Sequence, residues 1–136
     1  MRSLFVIALF VCSTPGWCDE VLIGRVIRVV DGDTLVLLDS ENTQHRVRLA
    51  GIDTPESRGG QPYWRAAKDF LSEKTEGKTA TILWNNLDRY DRIVGKVICL
   101  EIDINFELVA NGLAWHYKFY ADEQSEEDRN RYSAAE

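Results

Sequence analysis

Cysteine, histidine and proline are scarce in this sequence, and their scarcity excludes several kinds of chemistry. The 136 residues include three cysteines, two histidines and three prolines. His45 and His116 have no metal-ligand spacing, so neither a zinc site nor a histidine-based catalytic motif is expected. The sequence has no Gly-x-Ser-x-Gly motif, no cysteine with a histidine partner and no glycine-rich phosphate loop before a helix. Carboxylates and arginines are the chemical groups that remain.

The composition is ordinary for one soluble globular domain. Apolar residues make up 45% of the chain and charged residues 28%, a balance that excludes disordered, collagen-like and coiled-coil proteins. The length is sufficient for one domain with a real core. The net charge is −6, whereas proteins that bind nucleic acid are usually basic. Much of the negative excess lies at the C-terminus, because residues 122–136 contain six acids and two arginines.

The N-terminal segment has the pattern of a secretory signal. Arg2 precedes an apolar run from Leu4 to Cys12, which is too short for a membrane span of about 20 residues. We expect a signal peptide over 1–18 and a mature domain over 19–136 that is secreted or periplasmic, with no membrane attachment after cleavage. Cleavage fits the sequence at three points, after Ser13, Gly16 or Cys18. A buried first helix or strand is the alternative.

Several residues with reactive or aromatic side chains are expected to be structural. Cys99 has apolar neighbours and is expected to lie in the core rather than to act as a nucleophile. It could form a disulfide with Cys18 only if cleavage leaves that residue in place. His45 is expected on a strand surface, and the segment 115–117 is expected to be mostly core.

Hydrophobic periodicity predicts five strands in a β-β-β-α-β-β-α-α order. The strands are predicted from alternating or β-branched runs over 21–30, 34–38, 45–49, 79–84 and 93–100. Three strands, a helix and two further strands are typical of a five-stranded OB-type barrel with added helices, an α+β fold. Such barrels commonly bind nucleic acid on the face of their middle strands.

Three helices complete the predicted order. The first follows Pro62 and has an apolar stripe formed by Tyr63, Ala66, Ala67, Phe70 and Leu71. The second begins near Asn105, ends at Gly112 and has an inner face of Phe106, Val109 and Ala110. A pattern similar to a capping box at Ser125–Asp128 predicts a last helix of about three turns.

Carboxylates cluster in two loops of the predicted barrel. The loops are Asp31-Gly32-Asp33-Thr34 and Asp53-Thr54-Pro55-Glu56. Hard oxygen donors of this kind suit Ca²⁺ or Mg²⁺. Each loop also has a simpler interpretation, a hairpin turn for the first and an approach to a helix for the second. If the second and third strands pair antiparallel, Asp33 and Asp53 lie close together, which favours a shared site.

Arginines near these loops are the second candidate group. Arg48 lies five residues before Asp53, and Arg92 opens the fifth strand. Guanidinium groups bind phosphate bidentately and stabilise charge that develops in phosphoryl transfer. Taken alone, Arg46 and Arg48 are more typical of a solvated strand face. Strict alternation would also place Arg48 and Asp53 on opposite faces, unless the chain bends at Gly51.

Four segments together resemble the staphylococcal nuclease (thermonuclease) family. They are VDGDT at 30–34, RLAGIDTPE at 48–56, DRYDR at 88–92 and LVANGLAW at 108–115. The resemblance runs from about Val21 to Tyr132. It implies an OB-fold endonuclease that requires Ca²⁺ and hydrolyses the phosphodiester bonds of both DNA and RNA. We expect a monomer with no stable protein partner.

The resemblance assigns metal and catalytic roles to the carboxylate loops. Asp33 and Asp53 would bind the metal with their carboxylates, and the Thr54 carbonyl would complete the site. Glu56 would activate or position the attacking water. Metal-assisted attack of water agrees with the chemistry that these residue types support.

The same resemblance assigns phosphate contacts to the basic and aromatic residues. Arg48 and Arg92 would bind the scissile phosphate and stabilise the transition state. Arg89 and Tyr90 would contact a flanking phosphate. Tyr117 is the substrate-contacting aromatic that we select. Contacts to the backbone predict little sequence preference, because phosphates carry no base information.

Two positions depart from the family pattern. Asp91 stands where the family commonly has glycine before the catalytic arginine. The aromatic near the substrate is not uniquely aligned, since Tyr117, Phe119 and Tyr120 compete and direct counting selects Lys118.

The alternative function is a catalytically weak or inactive module of the same fold that binds nucleic acid or protein. Degenerate relatives lack one or more of five residues, and this chain has all of them: Asp33, Arg48, Asp53, Glu56 and Arg92. The complete set favours the enzyme. Four of the chain's acids would belong to the proposed site, so the net charge of −6 does not exclude a nucleic-acid substrate. With no large basic surface in the sequence, strong salt sensitivity is expected only near the site.

Overall fold

The structure, a computed structural model, describes residues 20–117 and 124–136. The predicted signal peptide over 1–18 lies outside the described residues, and so do Lys118, Phe119 and Tyr120. None of the described helices is long and apolar enough to cross a membrane.

Eight strands and three helices form in the described part of the chain. In chain order they are β1 Glu20–Asp31, β2 Thr34–Asp39, β3 Gln44–Leu49, β4 Ile52–Asp53, α1 Trp64–Thr75, β5 Thr79–Leu87, β6 Ile93–Cys99, β7 Ile102–Asp103, α2 Ile104–Ala110, β8 Trp115–His116 and α3 Glu126–Ala135. The five predicted strands and three predicted helices are all present. The two-residue strands β4, β7 and β8 were not predicted, because so short a run has no periodicity to detect.

The five long strands close into a barrel, which confirms the predicted OB-type α+β fold. Their order is β3-β2-β1-β5-β6, and β3 pairs parallel with β6 to close it. Strand β1 has register irregularities between Val26 and Arg28 and between Val29 and Asp31. Such irregularities bend a strand and increase its twist, so β1 can pair with both β2 and β5.

The core fills the barrel and extends under the helices. Strands β2 and β3 contribute fully buried side chains to it, namely Leu35, Leu37, Val47 and Leu49. Cys99 of β6 is 2% exposed, which confirms its predicted place in the core. The Cys99 Sγ faces the Thr79 carbonyl at 3.5 Å, and burial raises the pKa of its thiol. This cysteine is therefore a small core residue.

The short last helix is fixed to the barrel by polar contacts around a buried tyrosine. Tyr132 is fully buried, and its hydroxyl donates to both carboxylate oxygens of Asp103 at 2.8 Å. Lys96 of β6 pairs with Asp128 at 2.7 Å. The predicted cap is present, since the Ser125 side chain accepts from the Asp128 N–H. Helix α3 thus completes the core although it has only ten residues.

Three local predictions about buried faces are wrong. Tyr63 is the residue before α1, with φ 66° and 75% exposure, so it cannot continue the helical stripe. Ala66 is also exposed, and α1 instead buries Ala67, Leu71 and Thr75.

In α2, Ala110 is exposed and Phe106 only partly buried, while Ile104, Asn105, Leu108 and Val109 are buried. Of the segment 115–117, His116 is buried as predicted, but Trp115 is 43% exposed, because successive residues of β8 face opposite sides of its pair with β4.

Candidate active site

A glycine turn between β3 and β4 brings Arg48 and Asp53 to one side of the barrel. Gly51 has φ +71°, in the left-handed region that favours glycine. The bend that the sequence allowed at this position is therefore present. The Arg48 guanidinium spans the turn, since Nη1 donates to the Leu49 carbonyl at 2.8 Å and Nη2 to the Ile52 carbonyl at 3.1 Å. Two backbone carbonyls thus orient the arginine and leave its other N–H groups available.

A buried asparagine holds this turn against β6. Asn105 is fully buried, and its Nδ2 donates to the Ala50 carbonyl at 3.0 Å and the Gly95 carbonyl at 3.2 Å. Its Oδ1 accepts from the Val97 N–H at 3.0 Å. The Ala50 N–H donates to the Gly95 carbonyl at 2.8 Å. Asn105 therefore connects α2, β6 and the residue that precedes Gly51.

The first carboxylate loop is a tight hairpin whose turn lies one residue later than predicted. Asp31 still belongs to β1 and pairs with Thr34, so the turn residues are Gly32 and Asp33. The Asp33 carbonyl accepts from the Leu49 N–H at 2.8 Å, and its Oδ1 accepts from the Thr34 hydroxyl at 3.0 Å. Asp33 thus stands before β2, beside the end of β3.

Asp88 organises the loop that presents Arg92. Its Oδ1 accepts from the Tyr90 N–H at 2.8 Å and the Arg92 N–H at 3.0 Å, and its Oδ2 accepts from the Arg92 Nε at 2.7 Å. Partial burial raises the pKa of Asp88, but the N–H groups of Arg92 and Tyr90 and then the Arg92 guanidinium outweigh it and hold the pKa below its ordinary value. The Arg92 Nη1 also faces the Thr34 hydroxyl at 3.5 Å. Arg92 is therefore positioned by its own loop.

The ring of Tyr90 forms a platform for two guanidinium groups. The Arg89 guanidinium carbon lies 4.9 Å from the ring centroid and that of Arg92 lies 5.4 Å from it. Cation–π contacts of this kind hold two like charges near each other. Asp91 has φ 57°, which explains why glycine suits this position in the family pattern. Its side chain is exposed.

These elements enclose one open cleft of about 670 Å³. It is lined by Arg48, Asp53, Glu56, Asn86, Asp88, Arg89, Tyr90, Arg92, Val94 and Tyr117. Seven of the nine predicted site residues are in that set. The other two are Asp33, which lies in the adjacent turn, and Thr54, which is 2% exposed.

Carboxylates converge on Asp53. Burial raises the pKa of Asp53 above its ordinary value, and the charges of Asp33 and then Glu56 raise it further, while Arg48 lowers it. Mutual repulsion of this kind is relieved by a bound cation, and two carboxylates with a backbone carbonyl are hard oxygen donors. The described residues contain no group of three or more His, Cys, Asp or Glu side chains arranged to hold a metal. A cation here would therefore depend on Asp33, Asp53, a carbonyl such as that of Thr54, and water.

Three residues at or behind the cleft were not assigned a role from the sequence. Asp88 could have been found from its spacing, since Asp-x-x-x-Arg across a predicted turn allows both Asx-turn and ion-pair contacts. Asn86 has no comparable signal. Asn105 contacts backbone groups that are distant in sequence, so only the closed barrel identifies it.

Comparisons with known proteins agree with the geometry. The family described as Staphylococcal nuclease homologue matches residues 46–136. An uncharacterized endonuclease of Escherichia coli is 39% identical over 121 residues, which cover 88% of this chain and 76% of that protein. A micrococcal nuclease of Shigella flexneri is 34% identical over 129 residues, which cover 88% of this chain and 71% of that protein. The staphylococcal-like nuclease CAN1 of Arabidopsis thaliana is 43% identical over 75 residues, or 55% of this chain and 23% of that protein.

Proposed function

The chain belongs to the staphylococcal nuclease family, and we propose that it is a Ca²⁺-dependent endonuclease that hydrolyses phosphodiester bonds in both DNA and RNA. The observation that carries the proposal is the composition of one cleft. Two arginines held by fixed partners, Arg48 and Arg92, face the same space as the carboxylates Asp53 and Glu56. Basic groups for a phosphate and acidic groups for water and a cation are what phosphodiester hydrolysis requires.

The arginines would bind and stabilise the phosphate that reacts. Arg48 uses two N–H groups on carbonyls, and Arg92 uses Nε on Asp88, so both retain donors that can reach a phosphate oxygen. Because their positions are set before substrate binds, little reorganisation opposes the stabilisation of developing charge. Arg89 and Tyr90 line the same cleft and would contact a neighbouring phosphate. Tyr117, which directly follows β8, would contact the substrate from another side of the cleft.

Glu56 would act on the attacking water. Its loop is held by reciprocal contacts with Gln61, since the Glu56 N–H donates to Gln61 Oε1 at 2.8 Å and the Gln61 N–H donates to the Glu56 carbonyl at 3.3 Å. The backbone is thereby fixed while the carboxylate faces the cleft. A carboxylate in this position can accept a proton from water or orient it.

Asp33, Asp53 and the Thr54 carbonyl would hold the Ca²⁺. When bound, the cation would supply Lewis-acid polarisation of a phosphoryl oxygen. Burial and then the charges of Asp33 and Glu56 raise the pKa of Asp53, and a bound cation would relieve the repulsion among these carboxylates, which supports this assignment. We further propose that the protein is secreted or periplasmic after removal of residues 1–18 and acts as a monomer.

The first experiment measures hydrolysis of single- and double-stranded DNA and of RNA with Ca²⁺, with Mg²⁺ and with a chelator. We expect cleavage of all three with Ca²⁺ and none with the chelator. Equal activity in Ca²⁺ and chelator would contradict the metal role. Binding without turnover would instead support an inactive binding module.

Arginine variants test the phosphate assignment. Arg48→Ala and Arg92→Ala should each lower kcat by about 10²–10³-fold, the usual effect of removing one group that stabilises a developing oxyanion. Arg25→Ala is the control, because Arg25 is an exposed arginine of β1 that does not line the cleft. Near-normal activity in both cleft variants would refute the assignment.

A further inference from the structure

A second group of cations lies on the outer surface of the barrel, outside the candidate active site. Arg28 of β1, Arg46 of β3 and Lys68 of α1 line a shallow depression of about 440 Å³ together with Val29 and Val30. We call these three cations the basic face. They come from three separate elements, so the fold and not a local sequence run brings them together. Among the described residues, no carboxylate lines this depression.

Strand register sets the position of the two arginines. Val36 of β2 pairs with Arg28 on one side and with Arg46 on the other, so all three side chains lie on the same face of the sheet. Leu35 and Leu37 point into the core, so Val36 points outward, yet it is only 1% exposed. The aliphatic stems of flanking arginines can cover such a residue while their guanidinium groups remain in water.

The charges of the basic face are not neutralised within the described part of the chain. No hydrogen bond or ion pair there engages the head groups of Arg28, Arg46 or Lys68. Three like charges around one depression repel one another, and an anion placed among them would relieve this repulsion. This convergence of three cations stands out in a protein whose net charge is −6.

The basic face lies next to the candidate active site along β3, since Arg46 lines the depression and Arg48 lines the cleft. Arg46 and Arg48 are two residues apart on β3 and alternate with buried Val47 and Leu49, so they point to the same side at a spacing of roughly 7 Å. Thr34 pairs with Arg48, and the Val36–Arg46 pair is the next on the same face. A phosphate chain that leaves the cleft along β3 would meet Arg46 first and then Arg28 and Lys68.

We propose that the basic face binds backbone phosphates of the nucleic-acid strand on one side of the scissile bond. The inference rests on the proposed function for the identity of its ligand. It adds a surface that extends the substrate contact from the cleft across β3, β2 and β1. Arg28, Arg46 and Lys68 position the strand and take no part in the chemistry.

Equilibrium binding tests the basic face without turnover. The probe is a fluorescently labelled single strand of roughly 16 nucleotides, the upper end of the sites that barrels of this type occupy, titrated with chelator present. The test variant is Arg28→Gln/Arg46→Gln. The control is Arg25→Gln/Lys74→Gln, which removes the same charge from exposed or half-exposed positions of β1 and α1. We expect several-fold weaker binding in the test variant and a near-normal affinity in the control.

Salt dependence supplies a second readout. Loss of two phosphate contacts should reduce the slope of log affinity against log salt by about 1.4, since each contact to a single strand contributes about 0.7. An unchanged slope and affinity, or an equal loss in the control, would overturn the proposal. The proposal would also be overturned if the test variant bound inorganic phosphate or phosphatidylserine vesicles more weakly than the wild type while its affinity for the strand was unchanged. Circular dichroism of both double variants checks that they fold.

Hydrolysis separates this inference from the proposed function. With Ca²⁺, the test variant should have a raised KM for the long strand and unchanged hydrolysis of a dinucleotide, which reaches only the cleft. If the wild-type protein cleaves neither substrate, the proposed function fails, while the binding and salt measurements still decide whether the basic face binds phosphates. Equal effects on the long strand and the dinucleotide would contradict a role outside the cleft.

Discussion

Asn105 is expected to be the residue whose loss most affects both the fold and the turn at the cleft. It is fully buried and satisfies backbone groups at three places, the Ala50 carbonyl, the Gly95 carbonyl and the Val97 N–H. In Asn105→Ala the Gly95 carbonyl keeps its bond from the Ala50 N–H. The Ala50 carbonyl and the Val97 N–H lose their asparagine partner.

The magnitude follows from these two groups. An unsatisfied buried donor or acceptor costs about 1–3 kcal/mol, so the substitution should lower the free energy of unfolding by about 2–6 kcal/mol. That is a large part of a typical total of about 5–15 kcal/mol. With a urea m-value of about 2 kcal/mol/M, a loss of 4 kcal/mol moves the unfolding midpoint by about 2 M.

Urea unfolding followed by far-UV circular dichroism measures this difference. Asn111→Ala is the matched control, because Asn111 caps the same helix and its side-chain amide donates to Glu107 at the surface. We expect the control to lose less than about 1 kcal/mol. If Asn105→Ala costs no more than Asn111→Ala, the role assigned to the buried amide is wrong.

Two further predictions concern the loops of the site. Asp91→Gly should raise the free energy of unfolding by up to about 1 kcal/mol, because Asp91 has φ 57° and glycine relieves that strain; a lower urea midpoint in this variant would contradict the explanation. Asp53→Asn should stabilise the protein in chelator at neutral pH. Burial and the charge of Asp33 raise the pKa of Asp53 in the folded protein above its ordinary value of 3.8. The folded state therefore binds this proton more tightly than the unfolded chain does. The resulting contribution to stability is fully present below pH 3.8 and is lost as pH rises through the higher folded-state pKa. The difference between variant and wild-type midpoints should therefore grow with pH over this window, and a difference of opposite sign would refute it.

The sequence predicts those parts of the fold that local patterns determine. The order of long strands and helices along the chain, the barrel and the cap at Ser125 follow from periodicity and turn chemistry, and the bend at Gly51 was the one condition for bringing Arg48 to Asp53. Positions set by tertiary contacts could not be predicted in the same way. Tyr63 satisfies a helical pattern, but its backbone is left-handed and α1 begins only after it, at Trp64. Trp115 is apolar, but its pairing with Asp53 in the β4–β8 ladder leaves it exposed.

The two halves of the candidate site are held in different ways, and this determines which substitutions they can tolerate. Arg48 and Arg92 are fixed by short contacts to carbonyls and to Asp88, so their charges are directed before any ligand arrives. Lysine has the same charge but no planar group that could span both the Leu49 and Ile52 carbonyls. Burial and the charges of Asp33 and Glu56 disfavour the charged form of Asp53, so the carboxylates would gain from a bound cation. The basic half therefore depends on the shape of the guanidinium, and the acidic half on charge.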